Sequence, residues 1–528
     1  MERSSIQSSA GSRQPASLHE QSAVVIGGGL GGLFTGAILS KEGYRVTVLE
    51  KNQVIGGGLQ MFRRHGVAFE TGMHLLGGIR PGGSIYKLCK WLGITGHIAL
   101  RDVDADCMDE ITYLADGKTY RIPEGKEAFI RYFQQEFPDE AQGIRDYVEE
   151  LYRITGEIDF FYLRTGNSHV YTHDEKFYWP ADRIVNYYLK DPKLRDVISY
   201  MNPMFGGVVG HTPGYISALI NVLYIEGPSR FVGGSQQLAD ALAHIICAGG
   251  GEVKAGCEVV EMEVADREVR SVIYRHGGRR LQLPTLGDDG QTVPVVCAIH
   301  PLQLLRLTDT KAFSKAYRSR MEEAPQSYST FCVYCLLKPE SFPYINHTCY
   351  YQRDYGKVWH YGEYDPADWP RGFMYMTPAE TGQGEWATKV VINSPIPYST
   401  CSQWADTTTG RRGSDYEAWK QQHIDRIIDC MELLYPGFRS KCEYIFAAGP
   451  LTIRDYYGQP EGSLYGLLRD CDNLARSQVP VFTKLHNLYM TGQNVNLHGF
   501  CGVPLTAINT VEAIVGLNQI IKKINETE

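Results

Sequence analysis

The run Ala23-Val-Val-Ile-Gly-Gly-Gly-Leu-Gly-Gly-Leu-Phe34 places glycines at 27, 29 and 32, and Glu50 stands eighteen residues beyond the third. Residues of these types at this spacing can hold a dinucleotide. Gly27 permits a tight strand-to-helix turn, Gly29 lets the backbone approach a pyrophosphate, and Gly32 lets the helix pack closely on the sheet. The helix then directs unbonded N–H groups and a partial positive charge at the phosphates. A carboxylate at Glu50 accepts both ribose hydroxyls and repels a 2′-phosphate. A second glycine cluster, Gly56-Gly57-Gly58, begins six residues after Glu50. An NAD site has no need of glycines there, whereas FAD is longer and runs on past its pyrophosphate. The stretch Gly66-Val-Ala-Phe-Glu-Thr-Gly-Met-His74 continues the same pattern. FAD is therefore the expected cofactor.

Such residues need a strand–helix–strand frame, and the surrounding pattern supplies it. A short apolar strand precedes Gly27, a helical pattern runs to about residue 42 with Gly43 as its cap, and residues 44–50 form a second strand carrying the acid at its end. A second α/β stretch predicts a helix over 233–248, closed by Gly249-Gly-Gly251, then β runs at 252–264, 268–275 and 293–299. A third predicts a strand at 488–494 and a helix over 505–524. The long segments between carry aromatic clusters such as Phe160-Phe-Tyr162, Phe177-Tyr-Trp179 and Tyr187-Tyr188. The expected fold class is α/β (α+β overall), a discontinuous Rossmann-like FAD-binding domain with an interleaved substrate-binding domain. The expected boundaries are 21–80, 226–309 and 447–528 for the first, and 81–225 and 310–446 for the second. Residues 1–20, rich in Ser, Gln and Ala, are expected to be a flexible tail rather than a signal peptide.

At 528 residues the chain exceeds what one small core organises, which points to two domains. Its formal charge of −8, with no basic block, argues against a nucleic-acid partner. The 34 tyrosines, against 19 Phe and 7 Trp, suit the wall of a cavity for a large apolar ligand, and also ordinary domain surfaces. The 13 cysteines are scattered and odd in number, as expected of reduced thiols. Cys332 and Cys335 lie in a strand-like run, where their spacing sends them to opposite faces, so they are read as buried thiols and no metal site is expected. No run of eighteen apolar residues predicts a spanning helix. A cytoplasmic location is expected, with peripheral membrane contact compatible with an apolar substrate; oligomeric state is left open.

The segment Gly27 to Gly58, the Phe69-Glu-Thr-Gly-Met-His74 stretch, Gly233-Gly-Ser and Gly492-Gln-Asn494 resemble the flavoprotein superfamily of phytoene desaturases, carotenoid isomerases and all-trans-retinol saturases. The Thr-Gly-x-His form of the second stretch resembles the retinol saturase branch. The resemblance implies a domain of the glutathione-reductase/amine-oxidase type. It implies FAD contacts at Gly27, Gly29, Gly32, Glu50, Gly57 and Gly58, a backbone contact from Val259 to the adenine, and a last contact at the Gly492-Gln-Asn494 turn. Many relatives carry an acid where this chain has Asn494, whose amide can still bond a ribityl or phosphate oxygen. The implied activity is oxidoreduction at carbon–carbon double bonds of a polyene or isoprenoid lipid, with saturation favoured.

Catalytic side chains are harder to name. His74 follows the flavin-side stretch, Tyr456, Tyr457 and Tyr465 belong to a segment resembling the substrate side of the family's flavin, and His498 follows the last turn. A loop histidine, core packing for at least one tyrosine and an outward-facing loop residue are their plainer roles. Residues 494–504 read as a turn with Pro504 in the first turn of a helix, whose dipole favours negative charge on a reduced flavin. Gly206-Gly-Val-Val-Gly210 lacks a flanking strand and acid and reads as a loop. NAD(P)H as electron donor would thus bind without a Rossmann unit of its own. Otherwise electrons come from another protein, or leave to oxygen or a quinone. Two alternatives share the scaffold: a flavin amine oxidase, and a non-catalytic prenyl-binding protein, against which the Gly27–Glu50 set speaks.

Overall fold

Val24, Val25 and Ile26 are β-branched and buried, the composition of a strand covered on both faces. In the computed structural model, which describes residues 21–72, 75–166, 173–287, 290 and 292–527, they lie in β1 (Ser22–Ile26). Helix α1 (Leu30–Lys41) and strand β2 (Arg45–Leu49) follow. α1 is buried from Leu30 to Ser40, and small residues let its neighbours close in. A Cβ on Gly36 would lie 2.9 Å from Ile246 of helix Gln236–Ala248, and one on Gly31 would lie 3.3 Å from Val503 of helix Gly499–Val515.

β1 and β2 form the middle of a parallel five-stranded sheet. Glu252–Lys254 pairs with β2, Val295–Cys297 pairs with β1, and Leu488–Met490 adds outside Val295–Cys297. All carboxyl ends therefore face one edge, where open α/β sheets bind their ligands. A three-stranded antiparallel meander, Glu258–Ala265, Glu268–His276 and Arg279–Pro284, continues from this sheet.

A seven-stranded sheet runs in the order Cys442–Ala448, Ser329–Leu337, Lys389–Ile396, Gly372–Met376, Thr348–Gln352, Asp109–Tyr113, Thr119–Ile122. Only the Thr348–Gln352 and Asp109–Tyr113 pair is parallel. Ser329–Leu337 is buried at every residue. Phe331, Val333 and Cys335 pack under Ile424, Ile427 and Ile428 of helix Ser414–Leu434, while Cys332 and Tyr334 face Phe69 of the hairpin Met61–Arg64/Val67–Glu70. Cys332 and Cys335 thus occupy opposite faces, as their spacing predicts. Helices including Ala141–Gly156 and Gly214–Ile225 complete the cover.

The carboxyl-terminal helix begins at Gly499, earlier than expected, and is interrupted. Gly516 and Asn518 take positive φ, and a separate helix, Gln519–Asn525, follows with its Ile520 and Ile521 N–H groups bonded to Glu512. Pro504 lies in the second turn rather than the first. Its missing N–H leaves the Phe500 carbonyl without its usual helical donor. The expected tail at 1–20 and His74 fall outside the described residues. No helix among those described is long and apolar enough to cross a membrane.

Candidate flavin site

At the carboxyl edge of the parallel sheet the glycines of the first turn each meet a different constraint. Gly27 has φ +102°, a conformation that side chains resist. Gly28 donates its N–H to Glu50 Oε2 at 2.8 Å, and a Cβ there would sit 2.9 Å from that of Glu50. A Cβ on Gly32 would stand 1.9 Å from the Gly27 carbonyl oxygen. The turn and the helix are therefore packed backbone to backbone. The first N–H groups of α1 have no carbonyl within the helix, and Gly29, Leu30 and Gly31 border a cavity.

The second cluster folds back onto the first. Gly56 has φ +116° and donates its N–H to Gly28 O at 2.7 Å, and a Cβ on Gly57 would lie 3.1 Å from Gly29 Cα. Gly492, at φ +97°, closes another side, 3.1 Å from the position of a Cβ on Gly31. Gly57, Gly58, Gly492 and Gln493 all line the cavity. Glu50 is buried in its wall, and its other oxygen accepts the Asn52 N–H at 2.8 Å. Burial raises its carboxyl above the ordinary value, against the pull of the Asn52 and Gly28 hydrogen bonds. Val259 reaches the same wall beside a bulge that interrupts its strand before Glu261. The bare backbone on three sides, a helix amino terminus and a buried carboxylate fit an adenine dinucleotide.

The cavity, about 830 Å³, does not stop there. It continues over the seven-stranded sheet, where Cys332, Asn393 and Met374 stand side by side on three paired strands, and reaches Met204, Tyr224, Tyr328, Leu464 and Tyr465. Most of this second half is apolar or aromatic. Three buried polar atoms in its wall have no hydrogen-bond partner: Tyr328 OH, Asn393 Nδ2 and Gln459 Oε1. Burial pushes the Tyr328 phenol far above its ordinary value, so it stays protonated. No local signal marks these three in the sequence, because an orphaned polar atom exists only in three dimensions.

The residues singled out for chemistry separate. Tyr456 is 48% exposed and lies in the cavity wall. Tyr457 also lines the cavity, with its hydroxyl close to Gly72. Tyr465 borders the cavity but donates its hydroxyl to Pro203 O at 3.0 Å. His498 is not an outward-facing loop residue. It is 4% exposed and stands at the N-cap position of helix Gly499–Val515 without a side-chain capping bond. It borders a small apolar cavity with Phe161, Ile216, Leu219 and Leu223. Neither ring nitrogen has a partner, and burial, then Arg469, lowers its pKa to about 3. The imidazole is neutral and lies outside the wall of the large cavity. Asn494 is not on that wall either. Its Oδ1 accepts the Leu467 N–H at 2.8 Å, which braces the turn. Arg469, also buried, holds the same turn through Gln493 O at 2.7 Å and through Ser477 O.

Comparison with known proteins agrees with this geometry. The family model of an NAD(P)-binding Rossmann-like domain matches residues 25–92. A human protein named all-trans-retinol 13,14-reductase is 24% identical over 94% of this chain and 85% of its own length. The 4,4′-diaponeurosporene oxygenase of Staphylococcus aureus is 23% identical over 96% of this chain and 98% of its own. The solved structure of putrescine oxidase with putrescine bound shares the fold, with a TM-score of 0.61 at 13% identity over 94% of this chain and 99% of its own. With the glycine turns and the buried acid in place, the chain is similar over nearly its full length to proteins of the FAD-dependent superfamily of retinol saturases and carotenoid desaturases.

Proposed function

We propose that the protein is an FAD-dependent oxidoreductase acting on carbon–carbon double bonds of a polyene isoprenoid lipid. The observation that carries this reading is the single cavity that joins the dinucleotide turn to an apolar, aromatic wall on the seven-stranded sheet. When bound, the flavin supplies two-electron chemistry, while the protein supplies position and dryness. The proposed cofactor contacts are Gly27, Gly29, Gly32, Glu50, Gly57, Gly58, Val259 and Gly492. Met204, Met374, Leu464 and the Tyr224 and Tyr465 rings exclude water and let a flat, flexible chain slide into register. Tyr328 holds a proton at its unbonded hydroxyl in the same wall, where it can hydrogen-bond a substrate atom or donate to a carbon that gains charge. The relatives named as a retinol reductase and a carotenoid oxygenase support the lipid class. NAD(P)H is a proposed electron source, and the long Arg and Gln side chains at 303, 306 and 454 in the wall are where a polar donor would approach.

The test is spectroscopic. The purified chain, yellow with flavin, is reduced under nitrogen and mixed with all-trans-retinol or an acyclic carotene. Loss or blue shift of the polyene bands with reoxidation of the flavin is expected. Unchanged polyene spectra across both classes, or hydrogen peroxide release when the oxidised protein is mixed with putrescine in air, would overturn the reading.

A further inference from the structure

Away from the flavin cavity, three side chains of unlike chemistry converge at one end of the seven-stranded sheet. Cys107 lies just before strand Asp109–Tyr113, Glu110 lies within it, and His347 lies just before Thr348–Gln352. The two strands run parallel with Thr348 opposite Asp109, so their amino-terminal ends sit side by side. A thiol, a carboxylate and an imidazole are thereby brought together from positions far apart in sequence. Their ligand atoms all lie within 4.8 Å of one another.

We propose that Cys107, Glu110 and His347 form a zinc site that clamps the segment before Asp109 to the segment before Thr348. Four details of the geometry support an ion here rather than an ordinary polar cluster. The His347 Nε2 to Glu110 Oε2 distance is 3.8 Å, too long for a hydrogen bond. An imidazole nitrogen and a carboxylate oxygen on one tetrahedral ion, with bonds of about 2.0–2.2 Å, stand about 3.3–3.5 Å apart, so a closure of a few tenths of an ångström brings this pair onto an ion. The His347 side chain is 12% exposed, and its buried Nδ1 has no hydrogen-bond partner. That atom lies 3.7 Å from the Asp104 carboxylate, on the far side from Glu110. An imidazole bound to metal through Nε2 turns its Nδ1–H toward such an outer carboxylate. Finally, Arg121 holds the same Glu110 Oε2 at 2.6 Å, which fixes the carboxylate in place and leaves Oε1 to turn toward an ion.

The donor set selects the ion. A thiolate with an imidazole excludes magnesium and calcium, which take oxygen ligands, and suits zinc. Binding breaks the hydrogen bond that the Cys107 thiol donates to Asp109 O at 3.5 Å, releases the thiol proton to solvent, and leaves the fourth position to water. The two segments are already stitched together by Asn346, whose Nδ2 donates to Asp102 O at 3.0 Å and Asp104 Oδ1 at 2.8 Å. The ion would lock a junction that the chain has built. None of the three residues lines the flavin cavity, so the proposal stands whether or not the reading above does.

The experiment uses the full-length chain without a histidine tag, with zinc alone as the probe. Protein saturated with zinc and freed of excess is assayed for metal and titrated with a chelator, beside Cys107→Ser and His347→Gln. The expected result is about one zinc per chain with one sulfur neighbour by X-ray absorption. Each variant should bind at least about tenfold more weakly, with an unchanged circular dichroism spectrum. If Cys107→Ser does not fold, His347→Gln and the wild-type sulfur signal decide. Zinc no higher than background in the wild type, equal binding by the variants, or a bound ion with no sulfur neighbour would overturn the proposal.

Discussion

Gly32 has no room for even one methyl group. With the Gly27 carbonyl oxygen 1.9 Å from where a Cβ would go, Gly32→Ala must separate the helix from the turn whose N–H groups face the cavity. Purified Gly32→Ala is expected to be colourless, while Gly96→Ala, where nothing lies within 4 Å of an added Cβ, keeps its flavin. Tyr328 offers a different contrast. Tyr328→Phe removes only the unbonded hydroxyl, so the flavin spectrum should persist while polyene turnover falls by about 10²-fold. An undiminished rate would remove Tyr328 from the chemistry. His498 predicts a pH effect. Its folded pKa, about 3, lies below the ordinary 6.5, so the unfolded chain takes up the proton first. Its contribution to stability is complete above pH 6.5 and is lost as pH falls toward 3, at about 1.4 kcal/mol per pH unit. His498→Leu should flatten that acid limb in denaturant titrations, and it removes two unpartnered buried nitrogens as well. A variant that gains stability but loses turnover would assign His498 to function rather than packing.

At the scale of elements, the hairpin Met61–Arg64/Val67–Glu70 links the two halves of the cavity. Phe62 and Phe69 pack with Tyr334 and Phe446 of the large sheet, ring centroids 5.1–6.1 Å apart. Lys389 ties the hairpin down through Ala68 O at 2.6 Å. The hairpin then delivers Thr71 and Gly72 to the cavity wall. Phe69→Ala should cost about 3–5 kcal/mol in unfolding experiments and weaken flavin retention together with it. A stability loss that leaves flavin affinity untouched would separate the hairpin from the site. What the sequence revealed also sorts by element. β1, α1 and β2 were legible because strand, glycine turn, helix and acid are consecutive and each has a local signature. The large sheet was not, since it pairs residues 109–113 with 348–352 and 329–337 with 442–448, and no local pattern encodes such pairing. Pro504 misled because proline usually marks a first turn. At Asn494 the sequence leaves the direction of the amide open, because a turn residue can face either way, and here the Leu467 N–H donates to its oxygen.

The molecule as a whole builds its dinucleotide sheet from strands at both ends of the chain. Leu488–Met490 lies outside Val295–Cys297, Thr491 meets Thr35 of α1 at 3.2 Å, and Gly492 abuts Gly31. Synthesis on the ribosome is directional, so the glycine turn emerges long before the strand and helix that complete its surroundings. A nascent chain that stops short of Gly492 has the fingerprint but lacks the last wall, so flavin capture is expected to wait until that segment has emerged. A chain truncated before Leu488 is accordingly expected to emerge without flavin, exposing the apolar faces of α1 that helix Gly499–Val515 covers. Supplying the missing carboxyl-terminal peptide in trans, and recording whether yellow protein forms, would show whether late arrival of that segment alone controls the timing of cofactor loading.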